Sequence, residues 1–204
     1  MYEKSVKENL STMNFKEKFS YLLYYYKFHL IGILIAVLVV GSFIYSEINK
    51  KDIYLNVAYI GSSISTETYE DVSNNLNASL LPDNESSIVE FNIYDLSNTA
   101  TLTKFQASLA AKELDLAIVN KNFFNENYEN EFFLDLNSID NFSSLNIDEN
   151  ALIKKDNNIY GIKIDNLKIF NELNTPNSNN FLVVISNSKN STKLIDLLNA
   201  CGIN

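Results

Sequence analysis

Apolar positions along this chain form one long unbroken run and a series of short ones. The long run, Phe28 to Ile44, reads Phe-His-Leu-Ile-Gly-Ile-Leu-Ile-Ala-Val-Leu-Val-Val-Gly-Ser-Phe-Ile, and only His29 and Ser42 in it are notably polar. At the helical rise it covers about 26 Å, and adding Tyr45 and Ser46 brings it near the hydrocarbon thickness of a bilayer. The pattern predicts a transmembrane helix over 28–46. Tyr24, Tyr25, Tyr26, Lys27 and His29 crowd its entrance. Rings that sit among headgroups beside a snorkelling amine are the makings of a membrane-interface belt. The bland alternative is a buried core helix, but no other segment could surround it with apolar partners.

Lys4, Lys7, Lys16, Lys18 and Lys27 precede the run, while Lys50 and Lys51 follow it. The larger count in front predicts a cytoplasmic N-terminus and an outer C-terminal domain. A cleaved signal peptide is the rival. Its leading region would be long, and neither Ser42-Phe43-Ile44 nor Tyr45-Ser46-Glu47 makes a good cleavage site; no lipobox cysteine is present. Ahead of the span, Asn14 with Glu17 three residues on reads as a helix start. Phe15, Phe19, Leu22, Leu23 and Tyr26 then recur at helical spacing, so residues 1–27 are expected to be cytoplasmic and to end in a short amphipathic helix. That helix is either an interfacial anchor or a docking face for another membrane protein.

After a linker at 47–52, the short runs alternate in period. Residues 53–60, 88–94 and 114–119 read as strands. Between them, 66–81 carries Tyr69, Val72, Leu76 and Leu80 on one helical face, and Pro82-Asp83-Asn84 ends it. Asn98 or Thr99 can cap a second helix bearing Leu102, Phe105 and Leu109, with Ala107, Ala110 and Ala111 small enough for close approach to a sheet. Strand–helix alternation predicts an α/β domain over 53–204: a mostly parallel βαβαβ sheet with helices on both faces. Residues 120–150 are expected to be turns and loops. Residues 159–164 and 181–185 read as further strands, with a loop over 175–180 between them. Asn190 or Ser191 caps a last helix with Leu194, Leu197, Leu198 and Cys201 on one face, closed by Gly202.

Charge sharpens this picture. The chain has a net charge of −9 over 204 residues. Residues 1–28 carry +2, so the remainder carries −11. An acidic outer domain repels phosphate backbones, which argues against a nucleic-acid partner. One cysteine, Cys201, and one histidine, His29, exclude an intramolecular disulfide, a cysteine zinc site and a histidine-based triad in the outer domain. Cys201 is expected to be buried and inert, and His29 to be an interface residue. Phosphate-loop, dinucleotide and nucleophile-elbow motifs are missing. Asp83-Asn84-Glu85 and Asp135 to Asp140 lack calcium-loop spacing and read as solvated loops, as does Asp148-Glu149 near Asp156. Phe123, Phe124, Tyr128, Phe132, Phe133 and Leu136 form a Phe-rich stretch that either packs over one end of the sheet or presents a partner surface. The Asn-x-Ser/Thr sites are what an Asn-rich chain contains by chance.

Several short stretches carry a family resemblance. They are Ala107 to Ile118, with its Glu113-Leu114-Asp115; Phe133-Leu134-Asp135-Leu136; Tyr160-Gly161-Ile162; Val183-Val184-Ile185; and Ser188-Lys189-Asn190. In this order they resemble one lobe of the type 2 periplasmic solute-binding proteins. The front end, Tyr25-Tyr26-Lys27-Phe28-His29, resembles small single-pass membrane proteins of Clostridia-type bacteria. The first resemblance implies a single solute-binding-like lobe. The stretch between Val119 and Ile159 is too short for a second lobe, so no ligand contacts are carried over.

Together these readings predict a membrane-anchored extracytoplasmic binding or interaction module. It would lack catalysis and cofactors, contact the bilayer and an envelope protein, and serve as an accessory or sensor subunit. The alternative is a reduced solute receptor for a transporter, which leaves a small-molecule ligand open.

Overall fold

The computed structural model describes residues 14–84, 86–173 and 179–203, with backbone alone for Leu22, Tyr25 and Asn166. The lysines and acids before residue 14, Glu85 and most of the 175–180 loop lie outside the described residues. The chain divides into two units between Lys50 and Lys51.

The first unit is helix α1, Phe15–Ile48. Asn14 Oδ1 accepts the Glu17 amide at 3.0 Å, and Glu17 accepts the Asn14 amide at 3.0 Å. This reciprocal cap satisfies two of the orphan donors at the helix start. The expected amphipathic helix and apolar run are one continuous helix, because no proline interrupts 15–48 and Gly32 and Gly41 are tolerated within it. Its Tyr26–Ile48 stretch is long and apolar enough to cross a membrane, and none of it is buried by protein.

The second unit is a mixed sheet wrapped by helices. In chain order it runs β1 (Asp52–Ile60), α2 (Thr66–Leu80), β2 (Ser87–Tyr94), α3 (Thr99–Ala110), β3 (Leu116–Asn120), α4 (Lys121–Asn127), β4 (Leu152–Lys155), β5 (Asn158–Lys163), β6 (Asn180–Val184) and α5 (Lys193–Ala200). Strand order across the sheet is β2-β1-β3-β6-β5-β4. β1 pairs in parallel with β2 and β3, as the βαβαβ pattern predicts. The first crossover runs from β1 to β2 and the second runs back from β2 past β1 to β3, so the two move in opposite directions along the sheet. Crossovers of one hand that run opposite ways put their helices on opposite faces. Accordingly Val72 and Leu76 of α2 pack with Leu55, Val57, Leu116 and Ile118. Phe105 of α3 packs with Ala58, Ile60, Ala117 and Val119 on the other face.

The expectation of a mostly parallel sheet fails in the C-terminal half. β3–β6, β6–β5 and β5–β4 are all antiparallel. β4 was not expected at all. Asp156 and Asn157 at φ 50° and 71° form a two-residue turn with positive φ at both positions. Such a turn joins neighbouring antiparallel strands and favours Asn and Asp. It makes Leu152–Lys155 a strand by pairing it to β5.

Other differences are local. Ala107, Ala110 and Ala111 are exposed, because the helical period turns Phe105, Ser108 and Leu109 toward the sheet instead. Asn190 and Ser191 do not cap the last helix, which starts two residues later without a side-chain cap. Asn180 belongs to β6 rather than to a loop. The helix end matches expectation: Gly202 at φ 85° lets Ile203 donate to Leu198 at 3.0 Å, and Leu194, Leu197, Leu198 and Cys201 are buried.

Gly161 sets how closely β5 and β6 approach. A Cβ there would lie 3.0 Å from the Leu182 carbonyl oxygen, which is backbone and cannot swing aside. Gly161→Ala is therefore expected to destabilise the second unit by about 1–3 kcal/mol. A thermal melt that matches the parent would show that the strands separate freely.

Candidate functional site

The polar chemistry of the second unit collects at the two ends of the sheet. At the amino end most of it is engaged; Asn187 donates to the Leu109 carbonyl at 3.0 Å, and its buried Oδ1 has no partner among the described residues. Asp115, 2% exposed just before β3, accepts the Asn56 amide at 3.0 Å, the Ser188 hydroxyl at 2.7 Å and the Asn190 carboxamide at 3.2 Å. A buried carboxylate is tolerated when its oxygens are filled this way. Asp115 thus staples β1, β3 and the β6–α5 connection, and it takes the Asn190 side chain that would otherwise cap α5. Nearby, Tyr54 donates to Asp196 at 2.6 Å and accepts from Lys193 at 2.8 Å, with the ammonium 4.0 Å from the ring centre. Burial and the Asp196 bond push the Tyr54 phenol up, and its bond to Tyr54 pushes Lys193 up. A phenol held protonated is the opposite of what a general base requires. This cluster is a clasp between β1 and α5.

At the carboxyl end the chemistry is open. Just past β1, Gly61 turns into Ser62-Ser63-Ile64-Ser65, and Ser65 caps α2 by accepting the Thr68 amide at 3.0 Å. A cleft of about 360 Å³ is lined here by Tyr59, Ser62, Ser63, Ile64, Ser65, Thr68, Glu172, Leu173 and Asn180. Strand register explains the gathering. Asn180 opposes Asn120 at the end of β3, and it shares a face with Leu182 and Val184 beneath α2. Gly61 leaves room for the Tyr59 ring, since a Cβ there would lie 2.9 Å from ring carbon Cε1. Burial raises the Tyr59 phenol. Asn180, 8% exposed, lines the cleft from the start of β6. In open α/β sheets, the crevice beyond the strand ends where connections diverge is where ligands bind. This cleft lies at that point, because the connection after β1 leads to α2 on one face and the connection after β3 leads to α4 on the other.

None of the cleft residues was singled out in the sequence. The Ser-rich stretch between strand and helix was a visible signal. Glu172 and Asn180 reach it only through strand order.

The sequence candidates fall elsewhere. Of the interface set, Tyr24, Tyr26, Lys27 and His29 are exposed along α1, and the Tyr25 side chain lies outside the described residues. Tyr26 meets His29 edge-on at 6.0 Å, and Lys27 lies 5.1 Å over the Phe28 ring. In the Phe-rich stretch, Phe124 and Phe133 are buried and stack at 5.2 Å, with Phe123, Phe132 and Tyr128 half-buried against them. This stretch packs over the α3 face. Asp135 accepts the Asn137 and Ile159 amides, which makes it a turn-former and a tie to β5. Asp148 accepts the Asn150 amide at 2.9 Å. Among the described residues no group of three His, Cys, Asp or Glu could hold a metal ion. Cys201 is buried, and burial raises its thiol.

No protein-family model matches the sequence, and no curated protein matches it. Among solved structures, the chain is similar to an extracellular solute-binding protein family 1 member from Alicyclobacillus acidocaldarius. The two share 13% identity at a TM-score of 0.38, over 56% of this chain and 28% of that one. The match therefore takes in just over a quarter of that protein's length, and what the whole protein does stays with that protein.

The phenols of Tyr54, Tyr59 and Tyr94 all lie above the ordinary 10.0. For Tyr59 and Tyr94, as for Tyr54, burial is the leading cause. A folded-state value above the unfolded one gives stability that is complete below pH 10 and lost as pH rises into the raised values. Tyr59→Phe keeps the ring and removes this titration. Its alkaline loss of melting temperature is expected to be shallower than the parent's; an identical loss would mean that Tyr59 ionises as freely folded as unfolded.

Proposed function

We propose that this chain is a membrane-anchored, non-catalytic binding module. In this reading α1 holds it in the cytoplasmic membrane with its N-terminus inside, and the acidic α/β unit stands outside. There it serves as an accessory or sensor subunit of an envelope system. The observation that carries the reading is the Tyr26–Ile48 stretch, wholly unburied by protein, joined in sequence to a unit with its own core. So long an exposed apolar helix needs a bilayer around it. The lysines ahead of the span support the orientation. The absence of catalysis is supported by the outer unit's chemistry: its buried carboxylate is saturated by hydrogen bonds and its clasped phenol holds its proton more tightly.

A second reading, a reduced solute receptor serving a transporter, is favoured by the cleft beyond β1. The two readings share the anchor and differ in what the outer unit meets first.

Orientation is tested by a Lys189→Cys variant, since Lys189 is exposed and the native Cys201 is buried. A membrane-impermeant thiol reagent is expected to label the variant on intact cells and to leave the parent unlabelled. Labelling only after lysis would place the domain inside. The accessory role predicts a stoichiometric envelope protein when the full-length chain is purified from gently solubilised membranes. A chain that emerges alone would remove that role and leave the receptor reading.

A further inference from the structure

The sheet ends at β2 on one side and at β4 on the other. An edge strand presents a row of open amides and carbonyls, which proteins guard with short strands, lysines or a covering side chain. β4 is guarded in the first two ways: it has four residues and closes on Lys154-Lys155. β2 has eight residues and a single charge, Glu90. Along a parallel strand, successive residues turn their backbone groups alternately toward one neighbour and the other. The Ser86 and Tyr94 carbonyls accept from Asp52 and Gly61, at the two ends of β1, so the even-numbered residues face inward. Ser87, Val89, Phe91 and Ile93 therefore face outward. Asn77 of α2 covers Val89 as a strand would. Its carboxamide donates to the Val89 carbonyl at 3.0 Å and accepts the Val89 amide at 2.9 Å. Phe91 and Ile93 have no such cover among the described residues.

Beside the open half lies a groove of about 240 Å³, lined by Tyr69, Ser73 and residues 88–92. On α2, Ser73 stands between Tyr69 and Asn77 in one stripe, and its small side chain leaves the space. Tyr69 stacks on Phe91 at 5.9 Å. On the α3 face of the same edge, Glu90 accepts from Asn56 and Asn92, and Asn92 accepts from Lys104 at 3.1 Å. Neither Glu90 nor Lys104 forms an ion pair among the described residues.

A strand that completes this edge must offer two outward-facing residues at the same spacing, and β2 itself does. With Asn92 on a two-fold axis, Phe91 of each copy lies opposite Ile93 of the other. Each such pair exchanges two hydrogen bonds, so both open residues of both copies are satisfied. Setting Phe91 opposite Phe91 would draw in Val89, which Asn77 already holds; setting Ile93 opposite Ile93 would draw in Asp95, whose carbonyl already accepts the Thr101 hydroxyl. Opposed residues share a face, so the incoming Ile93 enters the groove beside Phe91. On the other face Glu90 lies opposite Tyr94 of the second copy, and there Lys104 stands 5.6 Å from the Tyr94 ring centre. Each Glu90 thus meets the other copy's Lys104, and no like charges are opposed.

We propose that β2 pairs with β2 of a second copy, antiparallel about Asn92, and joins two six-stranded sheets into one. The pairing goes beyond the binding-module reading and does not depend on it.

The test is cross-linking of the full-length chain in its native membranes, with sedimentation of the purified protein in detergent beside it. Asn92→Cys places two thiols on a non-hydrogen-bonded pair whose Cα atoms lie about 4.5 Å apart, within disulfide reach. Under copper phenanthroline this variant is expected to run as a disulfide dimer. The parent, whose Cys201 is buried, and Lys189→Cys, whose thiol is exposed far from the edge in sequence, are expected to stay monomeric. Lys104→Glu sets Glu90 against a like charge twice, and is expected to raise the dimer dissociation constant about tenfold. Adding Glu90→Lys to it is expected to restore the parent value, which a merely structural role for either residue would not do. No cross-link from Asn92→Cys, or one matched by Lys189→Cys, overturns the proposal. So does a dimer that both charge variants leave unchanged. A cross-link from Asn92→Cys to a different protein overturns the second copy as the occupant and keeps the edge as a docking strand.

Discussion

β1 is paired on both edges and buried on both faces. Leu55 and Val57 face α2, while Ala58 and Ile60 face α3, and all four are almost fully enclosed. A strand in that position must be apolar on successive residues, and it must have cover above and below. Parallel pairing to β2 and β3 supplies the cover, because each return to the same end of the sheet demands a crossover helix. The remainder of the second unit extends from this centre. β6 closes the open side of β3, the Asp156-Asn157 hairpin extends the sheet outward, and the Phe-rich stretch thickens the α3 face.

That arrangement gives the two ends of the sheet different fates. At the amino end the chain passes repeatedly through a tight space, so polar groups must be satisfied internally. Asp115 does this for β1, β3 and the turn into α5, and Tyr54 with Lys193 and Asp196 does it for the last helix. At the carboxyl end the connections leaving β1 and β3 part to opposite faces, and an open cleft lies beside them. Asn180 and Glu172 meet the Ser-rich turn there. One end of the unit is knit together by hydrogen bonds, and the other holds an open cleft.

The N-terminal helix follows a separate logic. Its Tyr26–Ile48 stretch gains no burial from the protein, and it is long and apolar enough to cross a membrane. A reciprocal cap at Asn14 and Glu17 fixes where the helix begins, and nothing in its sequence breaks it before Ile48.

How much of this was legible depended on the range of the interaction. The long apolar run, the capping pair, the alternation of strands and helices through β3, and the Gly202 stop are local patterns, and sequence alone determined them. The acidic charge and the scarcity of histidine and cysteine likewise limited the chemistry through composition, which needs no fold to act. Tertiary structure alone decided the antiparallel half, because β4 is a strand only by virtue of its partner across a two-residue turn. It also decided the alanines of α3, which face outward because Phe105 and Leu109 claim the sheet. The cleft belongs to the same class: Tyr59, Glu172 and Asn180 are far apart in the chain, and strand order, a long-range pairing that no local period encodes, brings them together.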